Sequence, residues 1–199
     1  MQPADAGATD VARANSLAAL FHEPAAAFAR FEPVAAVAVP EPFRTLLDHA
    51  SHMTVAMERF YGGPVGLVVA AVHDKSADDR GWYEREIILR DAVGRVVQHG
   101  IVRIDLGRVP AAAAGDIRGG RAPLGRILIA AGMLREVQRV GLLGVEIGPE
   151  LRTFFVAEGA GPAPATQTFG RVAAIALDGE PAVELLEIVA PGPLPKVLR

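Results

Sequence analysis

Strand-like segments in this chain come in two clusters, and neither cluster has a long helical pattern between its members. Val65–Val72, Trp82–Arg90 and Arg95–Leu106 follow one another through connections rich in Asp and Gly, short enough for antiparallel neighbours. A second group runs over Leu134–Ile147, Phe169–Leu177 and Ala182–Val189, and Asp178-Gly179-Glu180-Pro181 joins its last two members with strong turn chemistry. Clustered strands with a few helices between them, rather than strict alternation, predict an α+β fold. Its sheet is expected to be mostly antiparallel, with helices against one face.

The helical signals fit around that sheet. One helix is expected over Asp10–His22, and a second after Glu41-Pro42, where Phe43, Leu46, Leu47 and Ala50 are spaced as one buried stripe. Ser51-His52-Met53-Thr54 breaks or caps that helix and starts another through Met57 and Phe60. Short helices are expected at Pro110–Ala114 and from Pro123 to Gly132, with proline near the first turn and glycine at the close. Residues 1–40, rich in Ala and Pro, read as a helical extension packed on a domain of residues 41–199. The loop Gly159–Pro164 lacks the strand-before, helix-after setting of a dinucleotide fingerprint.

Composition narrows the function. A formal charge of −3 gives no basic footprint for nucleic acid, and the scarcity of lysine beside arginine reads as coding bias. The absence of cysteine excludes disulfides, thiolate catalysis and cysteine-based metal sites. Met1–Asp10 lacks the pattern of a signal peptide and no apolar run is long enough to span a membrane, so the expectation is a cytoplasmic protein without a membrane partner. His49 and His52 share a helical face, but no third ligand accompanies them, and they read as solvated or capping residues rather than a metal site.

Two charges carry the functional reading. Successive strand residues face opposite ways, so Arg85 shares a face with Tyr83, Ile87 and Leu89, and Glu187 shares one with Val183, Leu185 and Val189. An ion in such surroundings needs a compensating partner, which is either the other charge or a ligand. On the opposite parity, Glu84, Glu86 and Arg90 are expected at a solvated surface, and so are Arg118, Arg121 and Arg126 around their Gly-rich turn.

Four blocks give the chain a family likeness: Ser51-His52-Met53-Thr54, Tyr83-Glu84-Arg85-Glu86-Ile87-Ile88-Leu89, Pro123-Leu124-Gly125-Arg126-Ile127-Leu128 and Leu185-Leu186-Glu187-Ile188-Val189-Ala190-Pro191. In this order they resemble the chorismate lyases. The resemblance covers Phe43–Pro191 and leaves residues 1–40 outside. It implies a six-stranded antiparallel sheet with helices on one side, an enclosed pocket, and conversion of chorismate to 4-hydroxybenzoate and pyruvate without metal or organic cofactor.

By the same resemblance, Arg85 would hold the ring carboxylate, Glu187 would stand at the ring hydroxyl, and Met53 and Leu124 would line the pocket. A guanidinium suits that role because it grips a carboxylate through two parallel hydrogen bonds, and a carboxyl at the far end could handle the proton. The family's second arginine, placed just past a glycine on the next strand, aligns with Ile101; Arg103, on the same strand face as Ile101 and His99, is the candidate substitute.

Three functions compete on these residues. The chain is a lyase of chorismate or a related enolpyruvyl ether, or a non-catalytic binder of a small aromatic carboxylate, or an interaction protein whose inner charges merely pair. A winged-helix DNA-binding domain, as found in some sensors of similar fold, exceeds what residues 1–40 supply. Oligomeric state is not legible.

Overall fold

The computed structural model describes residues 3–76, 81–133, 135–155 and 165–192. In chain order the elements are α1 (Pro3–Ala18), α2 (Ala25–Phe28), β1 (Ala29–Pro33), α3 (Phe43–Leu47), α4 (Met53–Tyr61), β2 (Gly66–Lys75), β3 (Trp82–Arg90) and β4 (Val96–Asp105). There follow α5 (Ala111–Gly119), α6 (Leu124–Ala130), β5 (Arg135–Ile147), α7 (Pro149–Phe155), β6 (Gln167–Leu177) and β7 (Glu180–Val189). The expected loop at Gly159–Pro164 lies outside the described residues.

The strands form one seven-stranded sheet in the order β1-β5-β6-β7-β4-β3-β2, with every pairing antiparallel. Each cluster seen in the sequence becomes a meander, and the two meanders join edge to edge where β4 pairs with β7. The turn at Asp178-Gly179 closes the β6–β7 hairpin, with Asp178 at φ 50° and Gly179 at φ 86°. The fold is α+β, as the clustering predicts.

Registers across β3, β4, β7 and β6 set out the inward face as rows. One row is Tyr83, Ile104, Val183 and Ile175; the next is Arg85, Val102, Leu185 and Ala173. A third is Ile87, Gly100, Glu187 and Arg171, and a fourth is Leu89, Gln98, Val189 and Phe169. Over this face lie α3, α4, α5 and α6. Leu46, Leu47, Met53 and Met57 pack on Ile87 and Leu89, while Ala113, Ala114, Ile117, Leu124, Ile127 and Leu128 pack on Val102, Ala173 and Leu185. Gly62 at φ 70° and Gly120 at φ 62° end α4 and α5 in the left-handed conformation that glycine adopts without a Cβ penalty.

The sheet differs from the expectation of six strands and one covered face. The segment before residue 40 adds β1 at the β5 edge, and with α7 it builds a layer over the second face. Ala14, Leu17 and Ala18, at the spacing of one helical stripe, join Phe28 and Leu151 against Ile101, Val172, Leu186 and Ile188. Each large apolar side chain so buried contributes about 1.5–3 kcal/mol.

This second layer also corrects the reading of Glu84 and Glu86 as solvated: both are buried. Glu84 is bridged by Lys75 at 3.1 Å, and Glu86 lies among histidines. Alternation along β3 tells which residues share a face, but whether that face meets water depends on residues far away in the chain.

Candidate functional site

A partly open cavity of about 40 Å³ lies between the inward face and the helices, with Ser51–Thr54 and Pro123–Gly125 among its walls. Met53, Leu124 and Glu187 line it, as the resemblance implies, together with Gln98, Arg171 and the apolar side chains of Ile87, Val102 and Leu185. A volume of that size holds about one water, since a water occupies about 30 Å³ of liquid.

Outside it, an open depression of about 410 Å³ shares Ser51, His52 and Val137 with the cavity wall. His52 presses on the start of α6 so closely that a Cβ at Gly125 would stand 3.0 Å from its ring. The His52–Gly125 contact stands in the wall that the two spaces share.

Glu187 is not partnered by Arg85. Its Oε2 accepts from Arg171 Nε at 2.7 Å, with both side chains buried. Arg171 spends its remaining nitrogens on the α3–α4 connection: Nη1 donates to His49 O at 2.9 Å, to His49 Nδ1 at 3.2 Å and to Leu47 O at 3.3 Å, and Nη2 donates to Ser51 O at 3.2 Å. One guanidinium thus ties β6 and β7 to the loop that walls the cavity.

His49 belongs to this bracket. Its Nε2–H donates to Leu46 O at 2.8 Å, which leaves Nδ1 as the acceptor facing Arg171 and Ser51. Burial and then the neighbouring Arg171 charge hold its pKa below the ordinary histidine value.

Arg85 stands apart from that network. Its side chain is wholly buried, at 0% exposure, under the C-terminal end of α5. Nη1 reaches Ile117 O only at 3.5 Å, and Nε and Nη2 have no hydrogen-bond partner. No carboxylate among the described residues pairs with it, and burial pushes its pKa below the usual guanidinium value.

Arg85 does not itself line the cavity, but its strand neighbour Ile87 and its cross-strand partner Val102 both do. Glu187 lies two strands across and one row along, which at ordinary strand spacings is about 12 Å between Cα atoms.

Arg103 is corrected outright. It projects from the opposite face, over the Trp82 ring at 4.3 Å and 3.2 Å from Glu184, so it cannot serve this cavity. Ile101 also faces the second layer, in contact with the cluster around Phe28, so the position aligned with the family's second arginine does not look into the site. The second guanidinium on the inward face is Arg171, which the sequence reading passed over. Period two, applied to β6 as it was to β3, puts Arg171 beside Phe169, Ala173 and Ile175, the same signal that singled out Arg85.

The surface assignments around the Gly-rich turn hold for Arg118 and Arg126. Arg118 pairs with Asp74 at 3.0 Å, and Arg126 pairs with Glu58.

No protein-family model matches this chain, and no curated protein matches it. Among solved structures it is similar to PhnF from Mycobacterium smegmatis, with 14% identity and a TM-score of 0.50 over 70% of this chain and 64% of that one. The fold is chorismate-lyase-like. The separate effector domain of PhnF aligns with 13% identity and a TM-score of 0.48, over 70% of this chain and 88% of that one. A possible transcriptional regulator, YydK from Bacillus subtilis subsp. subtilis str. 168, aligns with 10% identity and a TM-score of 0.44 over 67% and 59% of the two chains. The chain spans 64% of the length of PhnF, and likeness at these identities extends to architecture. No helix among the described residues is long and apolar enough to cross a membrane.

Proposed function

We propose that this protein binds a small aromatic carboxylate without transforming it, with the carboxylate held by Arg85 and the ring lying toward Glu187. The observation that carries the reading is the buried guanidinium of Arg85, which has two nitrogens without partners and no counter-ion. An unpaired buried charge costs several kcal/mol, and a bound carboxylate would remove that cost through two parallel hydrogen bonds. The apolar surroundings of Val102, Ile117, Leu124 and Leu185 suit a ring.

Two features favour binding over lyase chemistry. Proton handling at the ring hydroxyl needs a carboxylate free to act, whereas Glu187 is engaged by Arg171. The cavity of about 40 Å³ is also far below the roughly 300 Å³ at which ligand pockets begin. Occupancy therefore requires the Ser51–Thr54 and Pro123–Gly125 walls to part, the two walls that meet at the His52–Gly125 contact. A site that closes in the absence of ligand and opens around it is what a sensing domain needs. The effector domain of PhnF among the similar structures accords with this reading, which rests on the residues.

The test combines calorimetry and product assay with 4-hydroxybenzoate, 3-hydroxybenzoate and chorismate. Saturable binding of at least one of them, lost in Arg85→Met, with no pyruvate released from chorismate, is the expected result. Pyruvate release dependent on Glu187 would replace binding by catalysis, and binding by none of the three would remove the reading.

A further inference from the structure

On the opposite face of the sheet, three side chains from three separate segments converge on one point. Glu86 Oε1 on β3 lies 2.7 Å from Nε2 of His22, which follows α1, and 2.8 Å from Nε2 of His99 on β4. These donor atoms all lie within 4.8 Å of one another, the one such group among the described residues. We propose that His22, Glu86 and His99 bind a first-row divalent transition ion such as Zn²⁺, and that this ion fastens the N-terminal layer to the sheet.

Within the group, His99 Nδ1 is buried without a hydrogen-bond partner, while His22 is engaged through both ring nitrogens. Both imidazoles aim Nε2 at a single oxygen, Glu86 Oε1. One carboxylate oxygen can accept both N–H groups, and the same convergence sets two imidazole nitrogens and an oxygen around one point. That is also the arrangement in which a cation takes the two nitrogens and the oxygen as ligands.

The rings are also fixed. His22 stacks on Phe28 at 4.2 Å between centroids, and His99 packs against Phe154 at 4.8 Å and Phe28 at 5.1 Å. Behind His22, Nδ1 lies 2.7 Å from Glu150 Oε2, the carboxylate–histidine pairing that orients a metal-bound imidazole and raises its basicity.

The donor set selects the ion. Two imidazoles and one carboxylate suit Zn²⁺, Co²⁺ or Fe²⁺, whereas Ca²⁺ and Mg²⁺ prefer oxygen ligands throughout. Bonds of about 2.0–2.1 Å at tetrahedral angles put ligand atoms about 3.3 Å apart. The oxygen–nitrogen separations of 2.7 and 2.8 Å would widen by roughly half an ångström, and the two nitrogens, within 4.8 Å of each other, would settle at about 3.3 Å. Three protein ligands leave one position for water. Because His22 comes from the N-terminal layer and Glu86 and His99 from the sheet, the ion would bind the folded chain in preference to the unfolded one. Nothing in this site depends on the cavity of the inward face.

The experiment is titration of the full chain, stripped with EDTA, by Zn²⁺ in a calorimeter and by Co²⁺ in visible absorption. The expected result is one equivalent per chain, the d–d bands of a low-coordinate Co²⁺ site, and a Tm raised by about 5–10 °C at Zn²⁺ about a hundredfold above Kd. His22→Ala should weaken binding at least about tenfold. Glu86→Gln, which keeps the side-chain shape, gives the same reading if His22→Ala fails to fold, with folding followed by circular dichroism. Absence of saturable binding below about 100 µM, or affinity unchanged in a folded variant, would overturn the proposal.

Discussion

Replacing Arg85 by methionine separates a ligand-seeking charge from a structural one, because the two roles give opposite signs. A structural buried arginine is tied down by partners and its loss costs about 3–5 kcal/mol. Arg85 has one contact at 3.5 Å and two nitrogens with none, so its removal breaks almost nothing and relieves the burial of an uncompensated ion. Methionine is unbranched, flexible and able to fill the stem's path among Tyr83, Val102 and Ile117. The ligand-free variant should be more stable than the parent by about 1–3 kcal/mol, taken from the gains seen when buried ions give way to apolar residues. For a chain of this size that is a Tm higher by about 3–10 °C.

The second half of the experiment adds ligand. Wild-type protein with 4-hydroxybenzoate at about a hundred times Kd should gain about 2.7 kcal/mol, and the variant should gain nothing. Urea denaturation followed by circular dichroism, run with and without ligand, measures both. An Arg85→Met protein that is less stable than the parent by more than about 1 kcal/mol, or that keeps its ligand-dependent gain, would refute the reasoning.

The other buried arginine should behave in the contrary way. Arg171→Met strands Glu187 and leaves the carbonyls of His49 and Ser51 without their donor, so urea denaturation should show a loss of about 3–5 kcal/mol. Glu187→Gln keeps an acceptor for Arg171 Nε and should lose less than Arg171→Met in the same assay. His49 gives a pH dependence. Its folded pKa lies below its unfolded value, so the unfolded chain binds the extra proton first, and stability should fall as pH drops from about 6.5 toward the folded pKa. Protonation would also turn Nδ1 from acceptor to donor against Arg171. Comparing Tm from pH 7.5 to 5 for the parent and His49→Gln should show a shallower slope in the variant; equal slopes would assign the dependence elsewhere.

The meanders, the α+β class and the inward aim of Arg85 were legible because each depends on neighbours in sequence. Period two along Trp82–Arg90 and turn chemistry at Asp178-Gly179 act over a few residues, and the structure keeps both. Met53, Leu124 and Glu187 line one cavity, brought there by α4, α6 and β7.

What escaped depends on long-range packing. β1, as Ala29–Pro33, has little strand propensity and exists because Leu143–Ile147 offers it an edge. Glu86 was assigned to water because nothing in β3 announces that His22, 64 residues earlier, will close over it. Arg171 carried a usable signal, an inward charge on an apolar strand face. Which cation on that face meets Glu187 was not legible, because residue spacing sets faces and leaves the choice to registry across the sheet.

The most direct measurement is a crystal structure of the protein with 4-hydroxybenzoate bound. The account places the ligand's carboxylate oxygens about 2.7–2.9 Å from Arg85 Nε and Nη2. It also places the ring against Ile87 and Val102, and requires the His52–Gly125 contact to be parted. A bound ligand that leaves those two nitrogens unpartnered, or whose carboxylate lies against Arg171 instead, would contradict it.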